Sequence, residues 1–430
     1  MAPRIGLGAD LRPISPGTMK FRLHSISRRR FLGRLAPVAA APFLAAGCGA
    51  GPTVVPGIEV LLNREMSLIR GRRVGLITNH TGVDRRMRHD IDLLQARPEV
   101  ELAALFGPEH GMAGMAAAGA RIESRPNSRW GIPVHSLYGA TTQPTEEMVR
   151  GLDLLIYDMQ DVGSRYYTYL ATLRNCLRAA DRFRIPLIVL DRPNPLGGLT
   201  VEGRVLDPRL LSLVGPAAIP ARYGLTPGEL AGWMKSRLHL KCSLIVVRMD
   251  HWERAHWFAD TGLVWVPPSP NIPAAMTALI YAGMCLVEGT NLSEGRGTTT
   301  PFEIAGAPWV DGPRAVEAMN RLELPGVAFR HTRFRPSASK FSGQACEGIQ
   351  LHVLHPRRFQ PLRTALSLIA HFRRTHSGHF QWAERHFDRL AGSEEVRSGI
   401  DRDRPVEEMM EGWAEELAIF EKERRDFYLY

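Results

Sequence analysis

Three observations predict an α/β fold: a doubly wound, mostly parallel sheet followed by a smaller C-terminal α+β domain. Short apolar, β-branched runs recur before about residue 250, stretches of helical periodicity separate them, and the pattern changes after about residue 300. Strands apolar on both faces belong between two helix layers, and their alternation with helices implies parallel pairing. At 430 residues the chain exceeds one ordinary core, so two domains are expected.

The strands come in order. "RRVGLITN" (Arg72 to Asn79) is followed by "VELAALFG" (Val100 to Gly107), "LDLLIYDMQD" (Leu152 to Asp161), "IPLIVLDRP" (Ile185 to Pro193) and "CSLIVVRM" (Cys242 to Met249). Between them, "TYLATLRNCLRAADRF" (Thr168 to Phe183) has helical periodicity. "TPGELAGWMKSRL" (Thr226 to Leu238) opens with a Thr cap, a first-turn Pro and Glu229, the pattern of a capping box. Residues 58–300 therefore read as a Rossmann-like catalytic domain. In residues 301–430, "GVAFRHTRF" and "EGIQLHVL" read as half-exposed antiparallel strands. "PLRTALSLIAHFRRTH" and "PVEEMMEGWAEELAIFEKERRDFYLY" read as helices of an auxiliary domain.

Charge is unevenly spread. Of the net charge of +10, a surplus of seven lies in residues 1–47, where eight Arg and Lys face Asp10 alone. The rest is close to neutral, so the basic balance does not point to a nucleic-acid partner. The segment reads as an export signal. "SRRRFLGRLAPVAAAPFLAAGC" places Arg28-Arg29 before Phe31-Leu32 and an Ala-rich apolar stretch, as twin-arginine signals do. Its end resembles a lipobox, which would make Cys48 the lipidated residue of an exported cell-envelope lipoprotein. Met19 begins a more usual N-terminus than residues 1–18. "GAGPTVVPG" then reads as a flexible tether within residues 48–57. No apolar run of about 18 residues occurs, so the lipid anchor is the only membrane association expected. Cys176, Cys242, Cys285 and Cys346 are far apart and form no C-x-x-C pair, so buried single thiols are expected.

Ligands of doubly wound sheets bind beyond the carboxyl ends of the strands. Polar clusters fall at those ends. "TNHTGVD" supplies Asn79 and His80, and "GPEHG" supplies Glu109 and His110. "DMQDVGSRYYTY" supplies Asp158, Asp161, Arg165, Tyr166 and Tyr167, and "DRPNPLGG" supplies Asp191, Arg192 and Asn194. Turns alone account for much Gly, Pro, Asn and Asp in any one such loop. Four ionisable loops on one edge point further. "PPSPN" adds Asn271, and the Gly-rich "EGTNLSEGRGTTTPFE" adds Glu288, Asn291, Glu294 and Arg296. That loop lacks Walker spacing, and no G-x-G-x-x-G follows a strand, so no nucleotide or other cofactor is expected. There is no nucleophile elbow and no H-E-x-x-H, and no metal is expected. Carboxylates, aromatics and forked arginines together suit an anionic sugar: acid and base, a surface for the sugar face, and a clamp for its carboxylate.

"GLITNHTGVD", "FGPEHG", "DMQDVGSRYYTY", "LDRPNPLGG", "PSPN" and "EGTNLSEGRGTTTPFE", in this order, closely resemble the exo-β-N-acetylmuramidase family. The similarity runs from about Ile58 to Tyr430. It implies a cleft between a Rossmann-like and an auxiliary domain, and removal of terminal N-acetylmuramic acid from peptidoglycan fragments. It also implies Glu109 as the acid, tuned by His110 or Arg165, and Asp161 as the group that orients the acetamido group or the water. Two departures bear on substrate preference or pH dependence: Tyr223 stands where the family usually has His, and Asn127 where a carboxylate is usual. Two other readings remain open from the residues. One is a metal-dependent cell-wall amidase using His80, His110, Asp158 and Asp161. The other is a non-catalytic sugar-binding lipoprotein.

Export through the twin-arginine route predicts that Arg28→Lys with Arg29→Lys leaves the protein in the cytoplasm, whereas unchanged fractionation would exclude that route. Cys48→Ala should move the protein out of the membrane fraction if the cysteine is lipidated.

Overall fold

The computed structural model describes residues 52–430 apart from residues 117, 118, 122, 128 and 129. The export signal and Cys48 lie outside the described residues. The strands are β1 (Arg73–Thr78), β2 (Glu101–Gly107), β3 (Arg125–Asn127), β4 (Ile132–Ser136), β5 (Leu154–Asp158), β6 (Leu187–Leu190), β7 (Leu244–Val247), β8 (Ile304–Ala307), β9 (Val327–Phe334) and β10 (Cys346–Val353). The first seven form one sheet in the order β3-β4-β2-β1-β5-β6-β7, parallel except for β3 at one edge. Strand order reverses at β1, which pairs with both β2 and β5, so the switch point lies at the carboxyl ends of these three strands. The last three form a separate antiparallel sheet in the order β8-β10-β9.

Side-chain alternation divides the core between the two faces of the large sheet. Val74, Leu76, Ile156, Ile188 and Leu190 pack with Ile58 and Leu61 of helix Gly57–Arg64 on one face. Ile77, Leu155, Tyr157, Leu187 and Val189 pack on the other with helix Tyr169–Phe183, and that core continues into the C-terminal half. Helix Ala275–Met284 packs on helix Pro361–Thr375 so closely that a Cβ at Gly283 would lie 1.9 Å from the Pro361 carbonyl oxygen. In packing, therefore, the C-terminal half begins before residue 300. The expected capping box forms in helix Pro227–Arg237, between Thr226 and Glu229. Cys176, Cys242, Cys285 and Cys346 are free and buried.

Two expectations are corrected. The stretch read as a flexible tether is pinned from Val54 onward. Val54 N–H donates to the Thr261 carbonyl at 2.9 Å, Val55 bridges Asp250, and the buried Val54 side chain packs with Trp252. The last predicted helix is broken. It runs Val406–Glu411, turns at Gly412 and the buried Trp413, and resumes over Ala414–Arg424. Glycine is a weak helix former, and burial of the indole outweighs continuity. Residues 428–430 leave the helix altogether because their side chains have partners elsewhere: Tyr430 donates to Asp191 at 2.8 Å, and the Arg254 guanidinium stacks on the Tyr428 ring at 3.4 Å. Strands β3 and β4 carry no long apolar run and had no signal.

At the outer edge of the small sheet, the Asn320 amide accepts from Phe329 N–H at 3.0 Å and donates to the Phe329 carbonyl at 2.9 Å. Arg165 joins the two halves. It is fully buried and donates to the carbonyls of Arg204, Ile219 and Leu390. Burial lowers its pKa to about 10. Arg165→Met would leave the carbonyls of Arg204 and Leu390 without donors and strip one of two donors from that of Ile219, each lost partner costing about 1–3 kcal/mol. Denaturant unfolding should show a loss of about 3 kcal/mol or more, and a variant of unchanged stability would contradict this structural role.

Candidate active site

Glu109 follows β2 and Pro108, and only 7% of it is exposed. One carboxylate oxygen accepts from Gly119 N–H at 2.8 Å and the other from the Thr168 hydroxyl at 2.5 Å. Thr168 sits at the N-cap of helix Tyr169–Phe183, yet its hydroxyl serves Glu109 rather than the helix. The Tyr138 phenol lies near Glu109, and burial together with that charge pushes it up to about 12. A carboxylate has about four lone-pair sites, so this cradle fixes Glu109 and leaves it capacity for a ligand.

His80 lies nearby at the end of β1. Its Nε2 is 2.6 Å from the Pro267 carbonyl, which can only accept, so in the neutral ring Nε2 carries the hydrogen. Burial lowers the His80 pKa, and His110 adds to the shift. Its Nδ1 is buried without a partner, a bare acceptor. The loop after Glu109 passes directly over this ring. Gly114 has φ +67°, and a Cβ there would meet the imidazole at 2.0 Å.

Asp161 supplies the second carboxylate. One oxygen accepts from the Tyr223 phenol and from Gly163 N–H, and the other is buried without a partner. Burial raises its pKa to about 6, against the pull of Tyr223. Between the two carboxylates stands Tyr169, whose phenol is raised first by burial and further by the charges of Glu109 and Asp161. Ring contacts continue from Tyr169 to Tyr167 at 4.7 Å, to Tyr281 at 6.2 Å and to Phe302 at 4.8 Å. The Tyr167 hydroxyl lies near those of Tyr169 and Ser269 without well-formed hydrogen-bond geometry to either.

At the far end of this aromatic wall Arg296 stacks on Phe302 at 5.0 Å and bridges Glu288 at 2.7 Å and Glu294 at 3.4 Å. Burial would raise Glu288, but His386 and Arg296 outweigh it and hold the carboxyl at about 2. Lys340 reaches Glu294 at 3.1 Å. Asn271 is half-buried, with no side-chain hydrogen bond to the described residues.

Other expected site residues serve the scaffold. The clamp of three arginines does not assemble, because Arg165 holds backbone carbonyls and Arg192 forks onto Asp158. That buried pair removes Asp158 as a free acid or base. Burial raises Asp158, and the guanidinium opposes it. His110 makes no hydrogen bond to the Glu109 carboxylate among the described residues. With φ +68° it turns its Nδ1 to the Ala116 carbonyl at 2.7 Å. Asp191 accepts from Thr226, Gly228, Tyr430 and the Arg192 N–H, and burial raises it to about 7. Asn79 donates to Tyr169 and accepts from Thr81, Asn194 joins Leu225 and Leu196, and Asn291 pins residues 379 and 381. Tyr166 donates its hydroxyl to the Ala282 carbonyl within the core. Sequence reading missed Thr168 and Ser164, although both stand in the quoted "DMQDVGSRYYTY". Tyr138 and Lys340 carried no signal. The Ser164 hydroxyl is buried without a partner near Asp161.

This is a Rossmann-like α/β protein with carboxylates and edge-to-face tyrosines at its switch point. The chain belongs to the exo-β-N-acetylmuramidase NamZ family: residues 74–276 match its N-terminal model and residues 279–430 its C-terminal model. It is 42% identical over 380 residues to the peptidoglycan β-N-acetylmuramidase NamZ of Bacillus subtilis, covering 88% of this chain and 92% of that one. Two crystal structures of DUF1343 family proteins from Bacteroides fragilis resemble it, at TM-scores of 0.81 and 0.73 and identities of 36% and 27%. Each comparison covers 88% of this chain and 99% of the other.

The raised Asp161 pKa has a testable sign. The folded value of about 6 exceeds the ordinary 3.8, so its contribution to stability is full below pH 3.8 and is lost as pH rises to about 6. The stability of wild type relative to Asp161→Asn should fall by about 3 kcal/mol across that window and stay level above it. A difference independent of pH would contradict burial of the charge.

Proposed function

We propose that this protein is an exo-acting glycoside hydrolase that releases terminal N-acetylmuramic acid from the non-reducing end of peptidoglycan fragments. Membership of the family through both halves of the chain carries this reading. In it, Glu109 protonates the leaving glycosidic oxygen as the bond to the anomeric carbon breaks. Its support is the cradle of Thr168 and Gly119, which holds the carboxyl at the carboxyl edge of the sheet with Tyr138 nearby. Asp161, with one oxygen unpartnered, orients the acetamido group or the attacking water at the anomeric carbon. His80 Nδ1 accepts from a sugar hydroxyl, and Tyr167 and Tyr281 line the apolar sugar face. Of the three arginines first considered, Arg296 keeps exposed surface, 20% of its side chain, and is assigned to the lactyl carboxylate. We infer further that residues 1–47 export the protein as a lipoprotein, which would bring it to cell-wall substrates. This rests on the paired arginines and the Cys48 context.

The test compares leaving groups. Glu109→Gln keeps size but cannot deliver a proton, so release of free N-acetylmuramic acid from a natural disaccharide should fall by about 10²–10⁴-fold. The loss should be much smaller on an aryl glycoside whose leaving group needs little protonation. Asp161→Asn should slow both substrates alike. Equal sensitivity of both variants to the leaving group would refute these roles, and absence of sugar release by wild type would refute the reaction.

A further inference from the structure

Away from the aromatic wall, a groove of about 490 Å³ runs between the two halves of the chain. Glu202, Arg222, Trp257, Arg357, Phe359 and Gln360 are among its lining residues. The volume lies within the range of small-molecule sites. Arg222 is the unusual member. It is 3% exposed, one terminal nitrogen donates to the Leu196 carbonyl at 2.6 Å, and its Nε is buried with no acceptor. A buried charged donor left unsatisfied is costly, and the opposite charge beside it in the groove is Glu202, whose carboxyl burial raises to about 7 against the pull of Arg222. The Arg222 guanidinium lies 5.4 Å from the Trp257 ring centre, and Arg357 lies 5.3 Å from it. Arg357 also pairs with Asp260 at 2.7 Å, and Arg358 is exposed on the rim. The acid in the groove, Glu202, turns one oxygen to the Leu362 N–H at 3.0 Å, at the start of helix Pro361–Thr375.

We propose that this groove is a second ligand site, distinct from the carboxylates at the sheet edge, for a carboxylate carried on a small body with an apolar face. The planar guanidinium of Arg222 takes the carboxylate in fork geometry, as a point-charge lysine would not. Phe359, Val201, Pro325 and Met410 offer the apolar surface for the body. The site stands apart from the reaction proposed above, because none of these residues contacts Glu109 or Asp161. Its strand is nevertheless adjacent to the first site. Arg222 faces the groove while its neighbour Tyr223 donates to Asp161; Arg222 exchanges backbone hydrogen bonds with Glu202, and the Ala221 carbonyl before it accepts from the Arg165 N–H.

One ligand chemistry can come from two sources here, a sugar acid or a peptide terminus. Calorimetry of the full chain with N-acetylmuramic acid, N-acetylalanine and inorganic phosphate separates them. N-acetylalanine, with no sugar, should bind wild type and lose at least about tenfold in affinity in Arg222→Lys. If the sugar acid is the better occupant, N-acetylmuramic acid should show two sites, of which Arg222→Lys removes one. Arg358→Ala, on the exposed rim, guards against a folding defect in the buried variant. It should weaken the same binding about threefold and leave glycoside turnover unchanged. Carboxylate binding that is absent, or equal in wild type and both variants, would overturn the proposal. So would phosphate binding in place of the carboxylates.

Discussion

The buried fork between Arg192 and Asp158 governs the carboxyl edge of the sheet. Asp158 ends β5, Arg192 follows the neighbouring β6, and one of the two forked nitrogens of Arg192, Nη2, also donates to the Val83 carbonyl in the loop after β1 at 3.0 Å. Three loops are thus tied by one side chain. Two charges taken out of water cost several kcal/mol each unless they meet, so neither partner can leave the other. The chain from Asp158 to Tyr169, which carries Asp161, Ser164, Tyr167 and Thr168, departs from this fixed point. The placement of Asp161 beside Tyr223, and of Thr168 beside Glu109, depends on it.

A second constraint comes from the C-terminal half, which buttresses that edge from behind. Tyr430 donates to Asp191 and accepts from the Met249 N–H at 2.7 Å, while Leu429 N–H reaches Glu229 at 2.9 Å. Arg424 donates to the carbonyls of Gly198, Tyr223 and Gly224. The segment holding Tyr223 against Asp161 is therefore fastened by the last helix of the chain, and the acid pair belongs mechanically to both halves.

Much of the architecture was legible in the sequence. Buried parallel strands are continuous apolar runs, and helix Pro227–Arg237 announced itself through Thr226, Pro227 and Glu229. The site was legible as a set of loops, because strand ends collect polar residues, but not as a set of roles. Asp191 and Asp161 look alike in sequence. One is saturated by four donors and the other keeps a bare oxygen, and the difference lies in Tyr430 and Tyr223, residues 239 and 62 positions away. Arginines were misread for the same reason. A guanidinium that binds substrate and one that holds backbone carbonyls have the same spacing in a motif, and only burial separates Arg165 from Arg296. His110 pointed away from its neighbour because a positive φ redirected it, which a sequence does not display.

The small sheet ends in an edge strand, β9, and the outward main-chain groups of such a strand are a template for a visiting chain. Asn320 occupies both groups of Phe329 with a single amide. A visiting strand would have to displace two formed hydrogen bonds at that residue before gaining any, and its ladder would be interrupted there. One side chain thus closes that position of the edge to a visiting strand.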